Sequence, residues 1–139
     1  MAIYGIGAYH DSDVSQEFLT HNIILVGWGP ADAPELDQYI RALRVGDIVY
    51  IKSYSPRSPS LVIKGIGIVA DAEVITHNGN MGRRVLWLDR QEFRIPKPTE
   101  KNNVRNNTIY EEFHPAVQSE ILNRIRLQNK NLEPISGSQ

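Results

Sequence analysis

The sequence predicts an α+β fold in which a curved, mostly antiparallel sheet closes toward a β-barrel with helices packed at its ends. Three observations predict it. Short apolar stretches alternate with helical periodicity over the first 45 residues. Residues 48–93 then carry long β-branched runs divided by a turn. Glycines recur at alternate positions inside two strands, Gly5 with Gly7 and Gly65 with Gly67, where a sheet bulges or a backbone approaches closely. The length suits one domain, 1–139, with 132–139 read as a flexible tail.

Residues 3–9 read as a strand. Asp13 follows as a helix N-cap with Gln16 completing a capping box, and Val14, Phe18 and Leu19 form the buried stripe of a short helix ending near Asn22. Residues 23–26 are a compact apolar strand stopped by Gly27-Trp28-Gly29-Pro30. Asp32 and Glu35 form a second capping box, Pro34 sits in the first turn, and Leu36, Ile40 and Leu43 follow at helical spacing. Gly46-Asp47 ends that helix and feeds a strand over 48–54, in which Ile48, Tyr50 and Lys52 share one face and Val49, Ile51 and Ser53 the other. A Ser- and Pro-rich loop spans 55–60, a strand returns over 61–69, and Asn78-Gly79 marks a hairpin turn before a strand over 84–93. Residues 97–107 read as an exposed loop, and Pro115 opens a last helix with Val117, Ile121, Leu122 and Ile125 along one side.

Composition excludes whole classes of function. With no cysteine, disulfide scaffolds, thiolate metal sites and thiol catalysis fall away. No run approaches the roughly 18 apolar residues of a membrane span, so no membrane partner is expected and the expected address is cytoplasmic. The net charge of −1 is unevenly laid out: residues 1–50 carry seven acids and two bases, leaving the rest at net +4. Arg83, Arg84, Arg90, Arg94, Lys97, Lys101 and Arg105 crowd one stretch, and residues 51–64 hold Lys52, Arg57 and Lys64 with no acid. Such a chain presents either one basic face fit for a polyanion or merely a polarised solvated surface.

Motifs for catalysis are weak. Neither GxG fragment continues to a phosphate loop, and both fall inside strands. His10-Asp11-Ser12-Asp13 gathers donor atoms, but Asp13 is committed to the helix cap, and no metal is expected. The serines near residues 53–60 lack a nucleophile elbow and a neighbouring base, and Glu111 and Glu112 diverge. No catalytic residue, cofactor or enzymatic activity is expected. The aromatics carry more information: Tyr9, Trp28 and Tyr54 each sit at a strand end, and Tyr54 neighbours Lys52 and Arg57. Such rings either plug the core or form a stacking surface for a base. Trp87, mid-strand, reads as core.

The opening strand, the Asp13-Val14 helix start and the strand running into Trp28, followed by Gly46-Asp47-Ile48-Val49-Tyr50-Ile51-Lys52-Ser53 and Gly65-Ile66-Gly67-Ile68-Val69, resemble the PUA-like superfamily, particularly EVE-type and YTH-type domains. The resemblance covers about the first 75 residues. It implies a curved barrel-like sheet that binds RNA or DNA and holds a modified base in an aromatic-walled pocket. Related modules occur alone or fused to bacterial restriction and defence enzymes. By that likeness, Trp28 matches the YTH-type aromatic after the second strand, and Ser53 with Tyr54 match the residues ending the EVE-type strand after Gly-Asp.

The leading expectation is therefore a non-enzymatic nucleic-acid-binding module. Tyr9, Trp28, Ser53 and Tyr54 hold a modified or flipped base in one pocket, and Lys52, Arg57, Arg83 and Arg84 neutralise phosphates, with a salt slope of roughly −3 to −4 on duplex DNA. The alternatives are a sensor or sequestering protein for a nucleotide-like small molecule using the same pocket, and a structural or oligomerisation domain.

Overall fold

A computed structural model describes residues 2–29, 31–55, 57–98 and 104–132. The elements run β1 (Ile3–Gly7), α1 (Ser15–His21), β2 (Ile23–Leu25), α2 (Pro34–Ala42), β3 (Ile48–Ser53), β4 (Ser60–His77), β5 (Asn80–Asp89), β6 (Phe93–Pro96), a 3-10 turn (Val104–Asn106), β7 (Ile109–Glu111) and α3 (Pro115–Leu132). Seven strands form one sheet in the order β2-β5-β4-β3-β1-β7, with β6 also paired to β4. Only β1 and β3 run parallel; the other pairs are antiparallel. This is the mixed α+β, mostly antiparallel sheet that the sequence predicts. Among the described residues no pairing joins β2 to β7, so the expected closure into a barrel is not made.

The period-two alternation of the strands sorts their side chains onto two faces. Tyr4, Ile6, Val49, Ile51, Val69, Val85 and Trp87 pack with Phe18 and Leu19 of α1 and Ile40 of α2. Ile3, Ile48, Tyr50, Leu61, Ile63 and Ile66 pack with Val117 and Ile121 of α3. The helices thus cover the sheet's two faces, where the sequence placed them at its ends. Trp87 lies in the core as expected, its indole N–H donating to the Phe18 carbonyl at 3.0 Å.

Several boundaries move for physical reasons. The long fourth strand continues past Val69 to His77, carried through an irregularity between Val69 and Val74. Arg83 stabilises that irregularity by donating to the Asp71 carbonyl at 2.7 Å. The strand expected over 84–93 stops at Asp89, whose Oδ1 accepts from the Gln91 N–H at 2.9 Å and turns the chain. The chain then returns as β6 along Ser60 to Ile63. Asn78 and Gly79, both at positive φ, close the hairpin as their sequence predicts. Asp13 binds the start of α1 through the Ser15 N–H (2.9 Å) and hydroxyl (2.7 Å), while Val14 occupies the cap position. The second expected capping box is not formed: Ala33 precedes α2, which Pro34 opens. Leu132 is still helical; the rest of the expected tail lies outside the described residues. No helix among them is long and apolar enough to cross a membrane.

Candidate functional site

The parallel pair fixes where the strand-end aromatics meet. Ile3 lies opposite Ile48 and Gly7 opposite Lys52; continuing that offset carries Tyr9 and Tyr54 off the sheet at the same level. They enter a concavity of about 340 Å³ lined by Gly7, Ala8, Tyr9, Asp13, Lys52, Ser53, Tyr54 and Lys64. This volume is at the small end of ligand sites and suits a single heterocycle. Two elements shape its walls. A bulge between β3 and β4 pairs Ile51 with Gly65 but Lys52 with Ile63, so Lys64 is the extra residue and swings toward Asp13. A tight loop folds back on the other side, with Tyr9 bridged to Asp13, the His10 N–H donating to the Ser12 carbonyl at 2.9 Å and the Val14 N–H to the Ala8 carbonyl at 2.8 Å.

The charges are unequal in availability. The Lys64 ammonium donates to Asp13 Oδ2 at 2.6 Å. That hydrogen bond first, and those from Ser15 second, hold the Asp13 carboxyl down at about 2. Lys52 is half-buried at the floor, where it donates one hydrogen to the Arg105 carbonyl at 2.6 Å. Desolvation pushes its ammonium down to about 8 from an ordinary 10.5. With two further N–H donors, it can meet a carbonyl, ring-nitrogen or phosphate acceptor. Lys97 lies 4.3 Å from the centre of the Tyr54 ring and donates to the Ser55 carbonyl, fixing the rim.

Trp28 does not join this concavity. The indole is 52% exposed and borders a neighbouring cleft of about 320 Å³ with Tyr9, His10, Asp11, Val26, Gly27 and Thr108. The single three-aromatic pocket expected from the sequence is thus corrected to two concavities that share Tyr9. The divide comes from the Tyr9–Asp13 loop, whose His10 ring packs on Gly27. A Cβ at Gly27 would stand 2.9 Å from His10 Cδ2, and the residue has φ +79°, so glycine is required there.

The phosphate set also needs correction. Arg83 is 1% exposed; its guanidinium donates to the carbonyls of Ile40 (2.8 Å), Leu43 (2.7 Å) and Asp71. It ties the end of α2 to the sheet and is out of reach of a phosphate. The strand's alternation carried the signal, since Arg83 is in phase with buried Met81, Val85 and Trp87. Arg84 faces outward and pairs with Asp71 (3.3 Å) and Glu73 (3.2 Å), bordering neither concavity. Arg57 is exposed on the loop after Tyr54, outside the lining. Of the wider basic stretch, Arg105 is buried against Glu112 and Arg90 binds the Leu19 carbonyl and Asn22. Lys101 lies outside the described residues. Lys64, Asp13 and Lys97 are site residues that the sequence reading did not select; the acid-free run over 51–64 pointed to Lys64. No group of three or more His, Asp or Glu side chains among the described residues is placed to hold a metal. No protein-family model matches this chain, and no curated protein matches it.

Proposed function

We propose that this chain is a nucleic-acid-binding module of PUA-like type that takes one unstacked or flipped base into the concavity at the ends of β1 and β3. Binding, without turnover, is its activity. The observation that carries this reading is the convergence of Tyr9, Tyr54 and Lys52, brought together from positions 45 residues apart by the β1–β3 register. Two tyrosine rings supply π-faces and Lys52 supplies donors to an acceptor edge, while Ser53 adds a hydroxyl that gives or takes a hydrogen bond. RNA, single-stranded DNA and an extruded duplex nucleotide all present such a base. A modified base is the form that the PUA-like likeness favours.

Fluorescence or calorimetric titration with short single-stranded oligonucleotides tests it. Tyr54→Ala and Lys52→Met should each weaken binding at least five-fold with the fold retained by circular dichroism; unaltered affinity in both variants contradicts the reading.

A second reading is favoured by a specific observation. With Arg83 buried and Arg84 paired, few cations flank the concavity, which suits a mononucleotide-like small molecule as well as a strand. Salt separates the two. One or two phosphate contacts on a single strand give a log–log slope of about −1; a slope near zero with affinity confined to mononucleotides identifies the small-ligand sensor.

A further inference from the structure

We propose that the cleft between Tyr9 and Trp28 is a second base subsite, so that the protein grips two successive nucleotides with Tyr9 interleaved between them. This rests on the reading of the first concavity as a base site.

Three observations support it. Among the described residues, Tyr9 is the one common to the linings of both concavities, which have nearly equal volumes of about 340 and 320 Å³. Both aromatic rings stand out from anchored backbones. Tyr9 is 74% exposed on a loop closed by its bridge to Asp13, and the Trp28 carbonyl accepts from the Met81 N–H at 3.0 Å while its indole remains half in solvent. Large apolar rings held this way are available as stacking surfaces without further loop ordering. The two linings also differ chemically. The first is lined by Lys52 and Ser53, which can donate, whereas the second is lined by Asp11 and Thr108, residue types whose side-chain oxygens accept hydrogen bonds from an exocyclic amino group.

The spacing is compatible with a polynucleotide. Stacked bases on one strand are about 3.4 Å apart, so an inserted ring of the same thickness separates them by about 7 Å, within the reach of one extended nucleotide. Adenine or cytosine should therefore be preferred over uracil or thymine in the Trp28 cleft, because only the former pair carry an amino group for Asp11.

The experiment compares a 5′-mononucleotide, its dinucleotide and its trinucleotide, in ribo and deoxy forms, against the full chain. The dinucleotide should bind about ten-fold tighter than the mononucleotide, with less than a two-fold further gain from the trinucleotide. Trp28→Ala should reduce the dinucleotide-to-mononucleotide ratio to near one, and Trp28→Phe should restore most of it. Equal affinities in the wild type, or a ratio that survives Trp28→Ala, overturns the second subsite while leaving the first standing. No binding of any nucleotide overturns both. Self-association that Trp28→Ala abolishes, with the ratio unchanged, assigns the exposed indole to a protein interface and overturns the proposal. If ribo and deoxy forms show the same ratio, the subsite reads the base and not the sugar; a ratio in one form alone identifies that nucleic acid as its ligand.

Discussion

Tyr50 lies at the centre of β3 and Tyr54 one residue past its end; both rings pack on the same apolar cluster, but they differ in burial and in what their polar groups meet. Tyr50 is fully buried. Its hydroxyl donates to Glu112 Oε1 at 2.6 Å and accepts from the Tyr110 hydroxyl at 2.7 Å, while Arg105 Nε donates to the same carboxylate oxygen at 3.1 Å. Burial, above all, drives both phenols well above their ordinary pKa, so they remain neutral donors. Gly5 permits this packing: a Cβ there would fall within 2.8 Å of Tyr50 Cζ and closer still to the Tyr110 hydroxyl. Tyr54 instead stands at a rim, half-buried beside Lys97 and open to the concavity. A polar aromatic whose hydroxyl and ring are enclosed in the protein serves the fold; one that lines a concavity beside Lys52 can also meet a ligand.

This contrast can be broken from either side. The largest effect should come from Glu112→Ala, which removes the carboxylate from the fully buried Arg105 guanidinium and the Tyr50 hydroxyl and should cost about 3–5 kcal/mol of stability by urea denaturation. Less than 1 kcal/mol would show that water or rearrangement replaces it. Arg83→Met comes next. It removes donors from three carbonyls and should destabilise by about 1–3 kcal/mol with oligonucleotide affinity and salt slope unchanged. A shallower slope in this variant would return Arg83 to the phosphate set. Tyr54→Ala shifts the balance toward the ligand: affinity should weaken by about 1–3 kcal/mol, with a stability loss from its packing on the Leu61–Ile63 cluster that is smaller than that of Glu112→Ala.

The smallest effect is in pH. Lys52 is charged below about 8 and neutral above it, and only the ammonium attracts an acceptor strongly. Affinity should therefore hold from pH 6 to 7 and decline as pH rises through 8 and above, at most ten-fold per unit. Lys52→Met should flatten the profile. A rise in affinity across that window would contradict the role given to the lysine.

How much of this was legible beforehand follows from what sequence patterns encode. Tyr9, Tyr54 and Lys52 were visible because strand ends are marked by composition, and Trp87 because it sits mid-strand. Pairing partners are not so marked. Nothing local says that residues 3–7 lie parallel to 48–52, so the meeting of Tyr9 with Tyr54 needed the register. The separation of Trp28 depended on the Tyr9–Asp13 loop, whose bridge is a backbone contact without a side-chain signature. Arg83 shows a different lapse. Counting charges treats every arginine as a surface group, whereas the alternation through Met81, Val85 and Trp87 already directed this one inward. The barrel expectation failed for a related reason, since glycine spacing marks bends in a sheet but not whether its edge strands pair.

The most direct measurement is an amide chemical-shift titration of the labelled protein with a short single-stranded oligonucleotide. Binding at the ends of the parallel pair predicts the largest, saturable shifts at Gly7, Ala8, Tyr9, Lys52, Ser53, Tyr54 and Lys64, with the amides of Tyr50, Tyr110 and Glu112 nearly still. Saturable shifts centred elsewhere, or no saturable shift at all, would contradict the account.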